Sequence, residues 1–319
     1  MLSGTGVSVP PDSLPGMCSP VSTPPADDAR TSEPDATASR ARPALSPSRA
    51  MDFKQCPLKY RFRAIDRIPE QPSVHAVRGT VVHAVLEDLY GLPAAERVPE
   101  RADALVPAAW ARVRTEQPEV AELIAGERLD VFLGEVRALV RRYYRLEDPT
   151  RFDPESREAR VEVELADGVL LRGFVDRIDI APSGALRVVD YKTGRVPGPT
   201  HETKALFQLK FYALVVLRTR GLVPAQLRLI YLADEQILTY APDEQELLRF
   251  ERTLSALWAA ILEAGRTGDF PPNTGRMCSY CDYKPLCPAF GGTPPPYPGW
   301  PSGGTTESPD ETLAEAVSD

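Results

Sequence analysis

Two aspartates and a lysine near the middle of the chain have the residue types and the spacing for metal chemistry. Within Val169–Arg195, Asp176 lies in one run rich in Val, Ile, Leu and Phe, and Asp190 and Lys192 lie in the next. Residues 182–184, Pro-Ser-Gly, separate the two runs. A three-residue connection that contains Gly predicts an antiparallel hairpin.

The loop also predicts the register of this hairpin. Ala181 would face Ala185, so that Asp176 lies opposite Asp190, and Lys192 shares their face because side chains alternate with period two. Like charges opposite one another destabilise a sheet by up to about 1 kcal/mol unless a cation lies between them. A hard divalent cation such as Mg²⁺ suits this place, because carboxylates, water and phosphate oxygens are its usual ligands.

Two carboxylates, a metal ion and a lysine suit the hydrolysis of a phosphodiester bond. The ion lowers the pKa of the attacking water and neutralises charge on the phosphate. The lysine can orient or deprotonate that water, or stabilise the pentacovalent state. The alternative is a solvated hairpin with charges on its open face, since Asp-x-Lys is a short motif with many accidental matches.

Two neighbouring segments would position further polar groups near the hairpin. Residues 157–166 alternate as a strand that places Glu162 and Glu164 away from the apolar face, where we interpret them as solvent or edge charges, with Glu164 a weak candidate for the site. Residues 79–91 form an amphipathic helix in which His83 and Glu87 are neighbours. Alone, His83 is more typical of a core histidine than of a metal ligand, and it gains interest beside a carboxylate pair.

The remaining periodicity predicts a mixed α/β architecture. Gln208 and Tyr212 lie one turn apart in a helix over residues 202–221. Strands are expected over residues 225–233 and 236–240. Further helices are expected over residues 46–56, 101–114, 120–146 and 242–267. This order predicts a mixed sheet covered by helices.

A cysteine cluster predicts a second metal centre. Cys278, Cys281 and Cys287 form a C-x₂-C-x₅-C run, and Cys56 is the other cysteine outside the N-terminal tail, where Cys18 lies. Four such ligands fit Zn²⁺ or a [4Fe–4S] cluster, and one isolated cysteine with a run of three favours the cluster. Its role would be structural, joining the two ends of the core across a long loop.

Composition predicts one folded domain between two disordered tails. Residues 1–44 contain eight of the 33 prolines, and residues 293–319 carry five acidic and no basic residues. Both tails are predicted to be disordered, with the folded domain over residues 45–292. That domain keeps 34 of the 37 basic and 35 of the 45 acidic residues, so any phosphate-binding surface must be a local patch.

The chain shows no apolar run long enough to span a membrane and no signal peptide. A cytoplasmic protein is the default expectation, and its cysteines are then more typical of ligands than of disulfides.

Six segments in this order resemble the RecB-type branch of the PD-(D/E)XK nuclease superfamily, particularly its iron–sulfur members, which include the AddB nuclease domain and CRISPR-associated RecB-like exonucleases. The segments are LSPSRAMDFKQCPLKYRF, GTVVHAVLEDLY, GFVDRID, VVDYKTG, Gln208-x₃-Tyr212 and C-x₂-C-x₅-C. The resemblance covers essentially the whole core. It implies a restriction-endonuclease-like sheet flanked by helices, with the N- and C-terminal segments joined by a four-cysteine cluster.

The resemblance also implies a role for each motif. His83, Asp176, Asp190 and the Tyr191 carbonyl would bind Mg²⁺ or Mn²⁺, and Lys192 would be the catalytic lysine. Gln208 and Tyr212 would support the active site and nearby DNA. The implied [4Fe–4S] ligands are Cys56, Cys278, Cys281 and Cys287.

We therefore expect a metal-dependent deoxyribonuclease, an exonuclease on single-stranded ends that acts in DNA repair or recombination. RecB and AddB domains are fused to a helicase, but this sequence has no GxxxxGK[ST] loop, so it would work alone or with a separate helicase partner. The alternatives are a non-catalytic DNA-binding or scaffolding subunit and a zinc-stabilised interaction module.

Overall fold

A five-stranded mixed sheet lies at the centre of the structure, a computed structural model that describes residues 43–196 and 199–301. Its strands are β1 (Ser156–Glu164), β2 (Leu170–Ile180), β3 (Leu186–Lys192), β4 (Gln226–Tyr231) and β5 (Gln236–Tyr240). They lie side by side in the order of the chain. All neighbouring pairs are antiparallel except β3 and β4, which are parallel.

The predicted hairpin and its register are confirmed. In the β2–β3 pair, Ile180 lies opposite Leu186, and the Ala181 N–H donates to the Ala185 carbonyl at 2.9 Å. Gly184 has φ of 83°, the left-handed conformation that this loop requires. The pairing extends as far as Arg177 opposite Val189, so the position of Asp176 opposite Asp190 stays a prediction.

Helices cover both faces of this sheet, as the sequence predicts. They are α1 (Pro47–Gln55), α2 (Pro57–Tyr60), α3 (Val74–Tyr90), α4 (Pro99–Glu116), α5 (Glu119–Leu123), α6 (Glu127–Tyr143), α7 (Pro199–Arg220) and α8 (Glu244–Thr267). The α7 helix is the crossover that a parallel β3–β4 pair needs. No helix within the described part of the chain is long and apolar enough to cross a membrane.

Two apolar clusters lie on opposite faces of the sheet. One joins the strands to α1, α2, α7 and α8 and includes Val188 of β3. The other joins them to α3, α4 and α6 and includes Val189 and Tyr191. Successive residues of β3 therefore serve different layers, as expected of a strand buried on both faces.

The predicted single helix over residues 120–146 is wrong. The chain forms α5 and α6 with a break between them, and Gly126 there has φ of 63°. A residue in this conformation cannot continue a right-handed helix, so α6 begins only after it.

The packed chain extends further at its C-terminal end than the predicted boundary at Gly292. The Tyr297 hydroxyl donates to the Gly265 carbonyl at 2.7 Å, and the Trp300 ring lies against Gly265, where an added Cβ would come within 2.1 Å of it. The apolar rings in this Pro-rich segment find a partner in α8, which composition alone did not indicate. Most of the predicted tails, residues 1–42 and 302–319, lies outside the described residues.

Candidate active site

The candidate site is built around the backbone of Tyr191. At this residue the backbone hydrogen bonds between β2 and β3 end, and side chains bind the Tyr191 backbone groups instead. The Tyr191 N–H donates to Asp176 Oδ2 at 2.6 Å, and His83 Nε2 donates to the Tyr191 carbonyl at 3.0 Å. Both backbone groups of one strand residue point to the same neighbour, so a continued β2–β3 ladder would have used them. Asp176 of β2 and His83 of α3 take their place.

Three possible metal ligands surround this point, of which His83 and Asp176 are buried and Glu158 is partly buried. His83 Nδ1 lies 3.5 Å from Asp176 Oδ2 and 3.7 Å from Glu158 Oε1. One ligand atom from each of the three residues lies within 4.8 Å of the others. Within the described residues, no hydrogen-bond partner is present for His83 Nδ1, although the atom is buried.

The two carboxylates near His83 favour a positive charge at this position. Burial by itself lowers the pKa of His83, but the Asp176 and Glu158 carboxylates outweigh it and raise that pKa well above its ordinary value. Burial also raises the pKa of Glu158, while the neighbouring His83 imidazole opposes the shift. In the metal-free protein a proton on His83 therefore balances the charge that a divalent cation would balance.

The donor set fits a divalent cation. It combines two carboxylates with an imidazole whose Nε2 proton is held by a carbonyl, which leaves Nδ1 to face the carboxylates. Carboxylates are the preferred protein ligands of Mg²⁺ and Mn²⁺. His83, Asp176 and Glu158 would hold such an ion.

A second group places the lysine beside a carboxylate on β3. Lys192 Nζ lies 3.3 Å from Asp190 Oδ2 and donates to Gln208 Oε1 at 2.9 Å. Gln208 Nε2 in turn donates to the Tyr212 hydroxyl at 3.3 Å. Asp190 is 2% and Lys192 5% exposed, so the ammonium group is oriented within a nearly dry environment.

Gly173 of β2 has no side chain, and the Tyr212 ring occupies the space that one would fill. A Cβ added at Gly173 would lie 2.7 Å from Tyr212 Cε1, closer than real Cβ contacts allow. Tyr212 is 1% exposed and cannot move aside into solvent. Glycine at this position therefore supports the Gln208–Tyr212 pair.

The structure brings the predicted residues together in two groups joined by β3. His83, Asp176 and the Tyr191 backbone form one, and Lys192, Asp190, Gln208 and Tyr212 form the other. Because Asp190 and Lys192 flank Tyr191 in the chain, the two groups are adjacent. Metal binding by Asp190 and by the Tyr191 carbonyl stays a prediction.

Sequence reasoning missed Glu158. It considered Glu162 and Glu164, but Glu162 is exposed and paired with Arg172 at 2.7 Å, and Glu164 lies at the far end of β1, about 20 Å from Glu158 at the usual rise per residue. Glu158 has φ of 41°, an uncommon conformation for a residue with a side chain, of the kind that clusters at functional sites.

A signal for Glu158 was present in the turn between β1 and β2. Asp167-Gly168 is a typical turn dipeptide, and a register counted outward from it pairs Glu164 with Leu170. The same register places Glu158 opposite Asp176.

The predicted cysteine ligands meet at one cavity. Its volume is about 130 Å³, and its lining includes Cys56, Cys278, Cys281 and Cys287. Backbone N–H groups of Asn273 and Gly275 donate to the sulfurs of Cys56 and Cys278, at 3.4 and 3.3 Å. None of the four cysteines forms a disulfide within the described residues.

Comparison with known proteins places most of this chain within one family model. The model of the PD-(D/E)XK nuclease superfamily matches residues 44–288. The Gene 69 protein of Mycobacterium phage D29 is 27% identical over 273 residues, which are 78% of this chain and 97% of the phage protein. The Gene 69 protein of Mycobacterium phage L5 is 31% identical over 136 residues, 42% of this chain and 44% of that protein.

A solved structure of similar extent is that of a predicted exonuclease from Eubacterium rectale. It is 14% identical, covers 75% of this chain and 87% of its own, and superposes with a TM-score of 0.48.

Proposed function

This chain belongs to the PD-(D/E)XK nuclease superfamily, and from that premise we propose that it is a RecB-type, divalent-metal-dependent deoxyribonuclease that degrades single-stranded ends in DNA repair or recombination. The observation that carries the proposal is the arrangement around Tyr191. Its backbone joins a buried His83–Asp176 pair, and its two neighbours in β3 are Asp190 and Lys192.

A bound Mg²⁺ or Mn²⁺ would lower the pKa of the attacking water and offset charge on the phosphate. His83, through Nδ1, would hold the ion with Asp176 and Glu158, and Asp190 would be a further ligand. The Tyr191 carbonyl accepts from His83 Nε2 on the other side of the ring and would orient that ligand. Burial of these groups excludes competing water and strengthens their attraction for a cation.

Lys192 is the residue that would act on the reacting atoms. Its ammonium group can orient the attacking water or stabilise negative charge on the pentacovalent phosphate. Gln208 accepts one of the ammonium protons, and Asp190 lies 3.3 Å from the same nitrogen, so both groups orient Lys192. The α7 helix therefore sets the direction in which Lys192 acts.

The test is digestion of end-labelled DNA by wild-type protein and Lys192→Ala, with Mg²⁺, with Mn²⁺ and with chelator. We expect wild-type cleavage only with metal, and a rate about 100- to 10,000-fold lower for the variant. Lys210→Ala is the matched control, because Lys210 lies on α7 in an ion pair with Glu246 at 2.6 Å. Equal cleavage by Lys192→Ala and wild type, both free of host nucleases, would refute the proposal.

Single-stranded and duplex substrates, each labelled at one end, test the substrate class. An exonuclease acting on single strands releases short labelled products from the single-stranded substrate and leaves blunt duplex intact. Cleavage of closed circular DNA would contradict exonucleolytic attack. Resistance of the duplex would be consistent with a separate helicase partner that supplies the single strand.

We also propose that the four cysteines bind a [4Fe–4S] cluster rather than Zn²⁺. A tetrahedral zinc site places its sulfurs about 3.8 Å apart, given Zn–S bonds of about 2.3 Å. Among the described residues the sulfurs do not form a group of three within 4.8 Å, and a cavity lies between them. A cluster needs that wider spacing, and its reduced thiolates are consistent with a cytoplasmic protein.

Metal analysis of protein purified without oxygen tests the cluster. We expect about four irons and four sulfides per chain, visible absorption, and loss of both iron and colour in Cys281→Ala. Cys18→Ala, a change outside the described residues, is the control and should keep the colour. Stoichiometric zinc in colourless protein would identify the site as a zinc site instead.

A further inference from the structure

We infer that Arg177 is a positioning residue for the metal site: through the Tyr191 hydroxyl, it fixes the Tyr191 backbone between His83 and Asp176. The inference rests on the proposed function, in which that backbone borders the metal. Arg177 does not itself reach the reacting groups. It lies in the layer of α3 and α6, on the face of the sheet opposite Asp190 and Lys192.

Arg177 is completely buried behind the site. Its side chain is 0% exposed, and one guanidinium nitrogen donates to the Tyr191 hydroxyl at 2.5 Å and to the Tyr90 hydroxyl at 2.9 Å. The guanidinium carbon lies 5.5 Å from the centre of the Tyr191 ring. The arginine therefore contacts both the hydroxyl and the ring of Tyr90 and of Tyr191.

Carboxylates on the other side of the guanidinium hold it in one orientation. Arg177 lies 2.8 Å from Glu147 Oε2 and 2.9 Å from Asp179 Oδ1. Arg228 and Arg187 bind the same two carboxylates, at 2.6 and 2.7 Å. A planar guanidinium group held by two carboxylates cannot rotate, so the direction of the hydrogen bond from Arg177 to the Tyr191 hydroxyl is fixed.

Tyr191 is consequently held at three points. Its hydroxyl is bound by Arg177, its N–H by Asp176 and its carbonyl by His83. Because side chains alternate along a strand, the Tyr191 ring packs against α3 and α6, while Asp190 and Lys192 point to the other layer. A shift of the ring would move the backbone group that aligns both metal ligands and the lysine.

A purely structural role makes a different prediction. Tyr90 also accepts from Arg177, and its hydroxyl makes a short contact with that of Tyr143. If the network served folding alone, loss of the Tyr90 or the Tyr191 hydroxyl would lower stability and leave metal affinity unchanged. If Arg177 positions the site, the loss at Tyr191 should weaken metal binding specifically.

The test is Mn²⁺ binding without DNA, followed by the paramagnetic resonance of free Mn²⁺, in Tyr191→Phe and Tyr90→Phe. We expect Tyr191→Phe to bind Mn²⁺ about tenfold more weakly, as is typical when a group supporting a ligand is lost. Tyr90→Phe, which loses a hydroxyl from the same arginine, should bind as wild type does. Both variants keep the Arg177 charge network and should fold.

The inference fails if Tyr191→Phe binds Mn²⁺ as wild type does, or if Tyr90→Phe is weakened equally. Arg177→Lys, where it folds, should weaken Mn²⁺ binding at least as much as Tyr191→Phe. The nuclease proposal can fail separately. In that case wild-type protein would bind Mn²⁺ with the expected difference between the variants and yet cleave no DNA.

Discussion

Gln208 of α7 holds Lys192 of β3: the amide oxygen accepts a 2.9 Å hydrogen bond from the ammonium group. The lysine also lies 3.3 Å from Asp190 of its own strand, so α7 and β3 together determine where its charge lies. The packing of α7 therefore sets the position of the lysine to which we assign the chemistry.

Gln208→Leu should slow cleavage without unfolding the protein. A hydrogen bond to a charged group contributes about 1.5–3 kcal/mol. If this bond orients Lys192 in the transition state, its loss raises the activation barrier by a similar amount, and we expect kcat to fall by about 10- to 100-fold. Steady-state kinetics on labelled single-stranded DNA measures this. Gln236→Leu, at an exposed position of β5, should leave kcat unchanged, and an unchanged kcat in Gln208→Leu would exclude the orienting role.

Gly173→Ala should destabilise the protein and disturb the site together. The added methyl group would lie 2.7 Å from the buried Tyr212 ring, and overpacking of this kind costs about 1–3 kcal/mol. Denaturant unfolding measures that loss, and the cleavage rate should fall with it. Gly194→Ala is the matched control, because a methyl group added there would have no heavy atom of the described chain, apart from its immediate neighbours, within 4 Å.

Glu158→Gln should weaken the binding of Mn²⁺. The change keeps the side chain's size but removes one of two carboxylates that face His83 Nδ1. We expect a loss of about tenfold or more in Mn²⁺ affinity by calorimetry, and a parallel rise in the metal concentration needed for cleavage. Glu162→Gln makes the same chemical change at an exposed site on β1, and an equal effect there would show that only net charge matters.

Metal affinity should rise with pH because of His83. The carboxylates of Asp176 and Glu158 overcome burial and raise its pKa, so Nδ1 must release a proton before it can bind a metal. Below the raised pKa we expect affinity to increase by up to about tenfold per pH unit. Calorimetry in buffers of different ionisation heat measures the released proton, and His83→Gln should flatten the dependence.

The stability of the metal-free protein should change in the opposite direction. A histidine whose pKa is raised in the folded state contributes its full stabilisation below about pH 6.5, its ordinary pKa, and loses it as pH rises through the folded-state value. The slope should not exceed about 1.4 kcal/mol per pH unit. Stability of the metal-free protein that increased over this range would contradict the assignment.

The hairpin and its chemistry were determined by the sequence itself. A three-residue loop with Gly184 sets the β2–β3 register locally, so the pairing from Ile180 opposite Leu186 to Arg177 opposite Val189 follows from counting outward along each strand. Gln208 and Tyr212 likewise follow from the period of one helix. These relationships depend on neighbours in the chain, which is why pattern alone was sufficient.

Contacts between distant segments were decided only by the tertiary structure. Glu158 reaches His83 because α3 packs against β1. Arg177, which a strand pattern would assign to the surface, is buried because Glu147 and Asp179 compensate its charge. Burial of a charge depends on partners that the local sequence does not name. The local sequence pattern therefore predicted the candidate ligands on β2 and β3. Tertiary packing determined which residues surround those ligands and hold them in position.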